Sequence, residues 1–193
     1  MARAPGSYLV LDPGRNMGWA SCLAGGEKLK HGTWRFNQET PGEAYFTFTQ
    51  FMRRTLESMP DPLVCIELMT IVTHGDDDRI DAEQVMFSSG WPTHAQTLCH
   101  IMALRQPDFV AIQSWRAKTH TKTRTPDSMK GASQVERSKW FKERAKEYCD
   151  ARGWSYGSAD EAEALCILDY TRIVHEPGYA FDRGRAYQQE SLF

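Results

Sequence analysis

The chain is predicted to be an α/β protein whose mixed sheet begins as a three-strand meander and continues as parallel strands, with helices on its flanks. Three observations predict this. The apolar runs YLVL (8–11) and LVCI (63–66) have the length of buried strands rather than helices. Residues 17–24 and 28–36 are strand-like and are joined by Ala24-Gly25-Gly26-Glu27, a turn signal. Beyond them, helical periodicity alternates with strand-like runs, which is the order of an α/β chain.

The first strand stops at Asp12, where Pro13 and Gly14 force a turn, and Gly18 opens a second apolar run at 19–23. Residues 42–59 are expected to be helical, with Ala44, Phe48, Phe51, Met52 and Leu56 near helical spacing and Pro60 and Pro62 as the stop. The next buried strand, LVCIE (63–67), ends in Glu67. Residues 73–93 are polar and interrupted by Gly75, Gly90 and Pro92, so a loop with a weak helix near 81–88 is expected. A helix at 93–106, a strand at 108–113, a basic loop at 116–133 and a helix at 134–151 follow. A turn at 153–158 leads to the last helix, 159–176, with Ala162, Leu165, Ile167, Leu168 and Ile173 available for the core. The expected organisation is a single domain, 1–176, with a polar tail, 177–193.

With 41% hydrophobic and 25% charged residues in 193, the chain can bury one sizeable core. Its net charge of −2 conceals an asymmetry: residues 116–147 carry a balance of +6 and the remainder −8. The five cysteines, Cys22, Cys65, Cys99, Cys149 and Cys166, are dispersed and show no CxxC spacing. That pattern points to a reduced, cytoplasmic protein rather than a disulfide or zinc scaffold. No signal peptide and no membrane span are expected.

Two core strands thus end in acids, Asp12 and Glu67. A carboxylate at the end of a buried strand is costly unless something pairs with it. A metal ion is one such partner, and backbone amides of a turn are another. The last helix opens with DEAE, where Asp160 and Glu163 are three apart and share a face while Glu161 points aside. Acids in a first turn also suit the helix dipole. Ala159, Ala162 and Ala164 favour a further role, because small residues let the acidic end lie close against the sheet. Four converging carboxylates repel one another unless cations neutralise them or some stay protonated. Such hard oxygen ligands suit Mg²⁺ or Mn²⁺. The basic segment supplies the charges a phosphate backbone needs, with Arg116, Lys118, Lys122, Arg124 and Lys130 in the loop and Lys139 on the helix; a solvated surface is the alternative reading. Trp115 is a candidate for stacking on bases, and Trp140 for buried packing.

The segments LVLDPGRNMGWA, VCIE and ADEAEALCIL resemble, in order and spacing, the three signatures of RuvC-type Holliday-junction resolvases, above all their phage-encoded branch. The resemblance spans about residues 7–175. It implies an RNase H-like fold in which Asp12, Glu67, Asp160 and Glu163 are the catalytic metal ligands, holding two Mg²⁺ per site, with Mn²⁺ able to substitute. It also implies a symmetric homodimer in a bacterial cell or phage-infected host. Such a dimer hydrolyses four-way or other branched DNA at paired positions, leaving 5′-phosphate and 3′-hydroxyl ends. Helix 93–106 is the candidate dimer contact through Ala95, Leu98, Ile101 and Met102.

The chain departs from the family in two places. Glu163 stands where Asp is common, and Leu68, Met69, Thr70 and Ile71 stand where some members carry a junction-wedging aromatic. The acidic insertion 73–84 is expected to point away from phosphates or to order only in the dimer. Two other classes stay open on sequence alone. One is an RNase H-fold module that binds branched DNA without cutting it, which a nicking assay would reveal. The other is an actin-like ATPase, whose phosphate loop also follows a strand-end Asp but which needs a second glycine-rich loop that this sequence does not contain.

Overall fold

The computed structural model describes residues 4–38, 40–68, 82–119, 123–176 and 178–179, and within them five strands form one sheet in the order β3-β2-β1-β4-β5. The strands are β1 (Ser7–Asp12), β2 (Asn16–Leu23), β3 (Lys30–Arg35), β4 (Pro62–Leu68) and β5 (Asp108–Ala111). The helices are α1 (Pro41–Glu57), α2 (Ala82–Ile101), α3 (Ile112–Thr119), α4 (Gln134–Ala151) and α5 (Ala159–His175). β1, β2 and β3 pair antiparallel, whereas β4 pairs parallel with β1 and β5 parallel with β4. The expected mixed sheet of a meander followed by parallel strands is therefore present.

The two-residue period of a strand sorts the side chains to two faces. Tyr8 and Val10 of β1 and Leu63 and Cys65 of β4 pack with α4 and α5, among small residues such as Ala145, Ala162, Ala164 and Cys166. Leu9, Leu11, Val64 and Ile66 pack with α1 and α2, among Phe36, Phe48 and Trp91. Asp12 and Glu67 continue the first series and so leave the sheet on the α5 side, at the edge where both parallel strands end. Helix starts are capped as their sequences require. Thr40 with Glu43 and Ser133 with Glu136 form capping boxes at α1 and α4, and Ser158 accepts from the Glu161 N–H at α5. All five cysteines are buried and unbridged.

Three expectations are corrected. First, residues 82–101 form one helix that runs through Gly90 and Pro92, where a loop with a weak helix near 81–88 and a separate helix from 93 were expected. Both breakers have packing reasons. A Cβ at Gly90 would fall 2.1 Å from the Tyr45 hydroxyl oxygen, which donates to the Met86 carbonyl at 2.5 Å. Trp91 is fully buried, with its ring centroid 4.9 Å from those of both Phe36 and Tyr45, so tertiary burial outweighs the cost of Pro92. Second, the chain turns directly from β5 into α3, which replaces the start of the expected basic loop. Third, Trp115 on α3 is fully buried and cannot stack on bases. Trp140 is half-buried, with the Arg144 guanidinium 5.5 Å from its ring centroid.

Of the stripe expected at a dimer contact, Ala95 and Leu98 are buried in the chain's own core and Ile101 is 64% exposed. Met69, Thr70, Ile71, most of the acidic 73–84 segment, Lys122 and the tail beyond residue 179 lie outside the described residues. Among the described residues, no helix is long and apolar enough to cross a membrane.

Candidate functional site

Asp12, the last residue of β1, lies opposite Gly18 of β2. A Cβ on Gly18 would fall 2.0 Å from the Asp160 carbonyl oxygen and 3.3 Å from the Ala164 side chain. The bare glycine therefore lets the first turn of α5 rest directly on β2, beside the end of β1. Fully buried Ala162 and Ala164 keep the rest of that approach close.

Glu161 fixes the helix from the other side. Its carboxylate accepts from the Gly157 N–H at 2.9 Å and from the Thr33 hydroxyl at 3.2 Å, and lies 3.1 Å from His31 Nδ1. Burial pushes this acid up, but the Gly157, His31 and Thr33 contacts outweigh it and hold it below the usual carboxylate range. Glu161 is thus a tether to β3. Asp160 and Glu163 are left facing Asp12.

Carboxylate oxygens of Asp12, Asp160 and Glu163 all lie within 4.8 Å of one another. Glu67 stands beside this trio, but its Oε2 accepts the indole N–H of Trp115. Asp12 and Asp160 are half-buried, and Glu67 and Glu163 are buried. Burial and then the charges of Glu163, Glu67 and Asp160 raise Asp12 well above the ordinary carboxylate range, against the pull of Lys142. Burial pushes Glu67 up to about 7, against the indole hydrogen bond and with Glu163 adding to the rise. Glu163 is likewise raised by burial, although Lys142 and Arg116 oppose this.

Two cations from the basic segment already meet this charge. Lys142 Nζ donates to Asp160 Oδ1 at 2.6 Å, and Arg116 Nη2 donates to Glu163 Oε1 at 3.4 Å. The Arg116 guanidinium also lies 3.9 Å from the Phe141 ring centroid, which fixes it over α4. A cluster of oxygen ligands in which burial disfavours the ionised forms of Asp12, Glu67 and Glu163 is one that a hard divalent cation would relieve. Asp12, Asp160 and Glu163, with Glu67 adjacent, are the residues that could hold such an ion, and their all-oxygen donor set is of the kind that suits Mg²⁺ or Mn²⁺.

Of the residues expected to hold DNA, Arg116 belongs to this centre and sits on α3, not in a loop. Lys118, Arg124, Lys130 and Lys139 are exposed. Arg124 and Lys130 line a groove with Arg137 and Phe141. Lys139 lines a hollow with Lys142, Val135 and Ala159, next to the start of α5.

Sequence reasoning missed Trp115 and Lys142 as partners of the acids, since no spacing links them to Glu67 or Asp160. Gly18 carried a readable signal: an isolated glycine inside a strand marks close approach of another backbone.

No protein-family model matches the chain, and a search of curated proteins finds no match.

Proposed function

We propose that the chain is a metal-dependent, structure-selective endodeoxyribonuclease of the RNase H-like type, acting on four-way or other branched DNA. The observation that carries this reading is the convergence of Asp12, Asp160 and Glu163 within 4.8 Å, with Glu67 beside them, where β1 and β4 end. An antiparallel meander continued by parallel strands, with acids on the shared edge, also suits the fold that the sequence signatures imply.

Asp12, Asp160, Glu163 and Glu67 would hold Mg²⁺, two ions per site as the resemblance implies. Bound there, Mg²⁺ supplies an activated water and charge that stabilises the leaving oxygen of a phosphodiester. The Trp115 indole N–H holds the Glu67 carboxylate in one orientation, the role that outer partners play at metal sites. Lys142 and Arg116 balance Asp160 and Glu163 in the resting protein, and they place positive charge where a phosphate would enter. Exposed Lys118, Arg124, Lys130 and Lys139 would grip the flanking backbone, with Lys122 expected to join them. Two opposed cuts in a two-fold junction require two sites, which a symmetric homodimer supplies.

The test is incubation of the protein with a synthetic four-way junction, a replication fork and a plain duplex, with and without Mg²⁺. Paired, Mg²⁺-dependent nicks in branched substrates and an intact duplex are expected. Junction binding without nicking would identify a non-cutting module, and nucleotide hydrolysis without nicking an ATPase.

A further inference from the structure

The far end of α5 carries a second cluster of different chemistry. His175, the last residue of that helix, places Nε2 3.1 Å from Asp108 Oδ2. Asp108 opens β5, and its register partner on β4 is Cys65. Cys65 belongs to the core on the α5 face, so its sulfur lies beneath the helix end. The sulfur, an imidazole nitrogen and a carboxylate oxygen of the three residues all lie within 4.8 Å of one another. Cys65 is 1% exposed, whereas the side chains of His175 and Asp108 are 26% and 51% exposed, so the cluster is closed behind and open to solvent in front.

Two buried hydroxyls flank it. Thr171 precedes His175 by one helical turn, and its hydroxyl lies beside the Cys65 sulfur without making a hydrogen bond of ordinary geometry. The Tyr8 hydroxyl is also buried without a hydrogen-bond partner, and its ring lies 6.4 Å from that of His175. Buried polar atoms left this way are costly, and a bound ion is one thing that can account for them. A metal-bound thiolate would accept the Thr171 hydroxyl far better than a thiol does.

We propose that Cys65, Asp108 and His175 form a binding site for a borderline-soft divalent cation of the zinc class, separate from the carboxylate centre and with its fourth position open to solvent. One sulfur, one nitrogen and one oxygen form a donor set that selects zinc-like ions over Mg²⁺. A tetrahedral ion with bonds of about 2.0–2.3 Å sets its ligands roughly 3.3–3.8 Å apart. The His175–Asp108 pair is already near that spacing, and Asp108 has the surface freedom to complete it. The ion would join β4, β5 and the C-terminal end of α5, bracing the helix whose other end carries Asp160 and Glu163.

The experiment titrates the full chain with Co²⁺ in excess Mg²⁺, which competes at the oxygen-only centre. One Co²⁺ per chain is expected, with a thiolate-to-cobalt charge-transfer band and the intense d–d absorption of a tetrahedral site. Stoichiometric Zn²⁺ should abolish both. Cys65→Ser should lose the charge-transfer band. His175→Gln is a change at a half-exposed helix end that does not depend on core packing, so it tests the site even where the cysteine variant folds poorly. It should weaken Co²⁺ binding by at least about 100-fold, since loss of a mere supporting residue at such sites already costs ~10–100-fold. Asp12→Asn should leave the spectrum unchanged. Absence of the charge-transfer band in the wild type, or wild-type Co²⁺ affinity in His175→Gln, overturns the proposal. Junction cleavage is read separately with Mg²⁺ alone, so neither result decides the other.

Discussion

On the α1–α2 face of the sheet, β1 and β4 offer Leu9, Leu11, Val64 and Ile66 to a layer of Phe36, Phe48 and Trp91. On the α5 face the same two strands, one residue out of phase, offer Tyr8, Val10, Leu63 and Cys65 and then the acids Asp12 and Glu67. On the first face burial stabilises these apolar side chains. On the second it works against the ionised form of Asp12, Glu67 and Glu163. The contrast shows a division of labour: an aromatic layer supplies the stability that lets the opposite face keep charges a folded chain would otherwise shed.

The largest effect that tests this division is Asp12→Asn. On the proposed reading, junction cleavage should fall by several orders of magnitude, because Asp12 would no longer help to hold the Mg²⁺ that would activate water and stabilise the leaving oxygen. Junction binding in a gel-shift assay should persist, and the melting temperature in chelator should rise because one repelling charge is gone. Cleavage at a near wild-type rate would break the assignment of this face.

Trp91→Ala probes the other face. It should cost about 3–5 kcal/mol of stability in urea unfolding, as large-to-small changes in aromatic cores do. The fraction still folded should cut junctions at a near wild-type rate. A loss of turnover in folded protein would show that the two faces are coupled rather than divided.

Gly18→Ala is a smaller change aimed at the hinge between faces. Its methyl would fall 2.0 Å from the Asp160 carbonyl oxygen, so the first turn of α5 must shift. The expected cost in stability is about 1–3 kcal/mol, with a disproportionate loss of cleavage and of Mg²⁺-induced thermal stabilisation. Unaltered cleavage would mean that the contact of α5 with β2 does not position the acids.

The mildest test is pH. Glu67 holds its proton up to about 7 in the folded protein against an ordinary value of 4.5, and Asp12 and Glu163 are raised in the same sense. A raised acid stabilises the fold most when protonated, and that contribution is lost as pH rises from about 4.5 through about 7. In chelator, stability should therefore decline over that interval. In saturating Mg²⁺ the decline should shrink or reverse, because the ion favours the ionised acids. A melting temperature that rises with pH in chelator would contradict the raised values.

The meander, the strand-end positions of Asp12 and Glu67, and the shared face of Asp160 and Glu163 were all legible in the sequence. Each rests on local periodicity and turn chemistry, and so do α4 and the start of α5 at Ser158. Four features were not legible: the unbroken course of α2, the burial of Trp115 against Glu67, the reach of Lys142 to Asp160, and the meeting of Cys65 with Asp108 and His175. Periodicity speaks only for neighbours along the chain, so it could mark Gly90 and Pro92 as breakers but could not see the aromatic layer that holds the helix together across them. Likewise, the sequence determined which residues are acidic at the strand ends. Only the tertiary structure decided which cations and donors stand against them, because those partners come from helices whose placement depends on packing between distant segments.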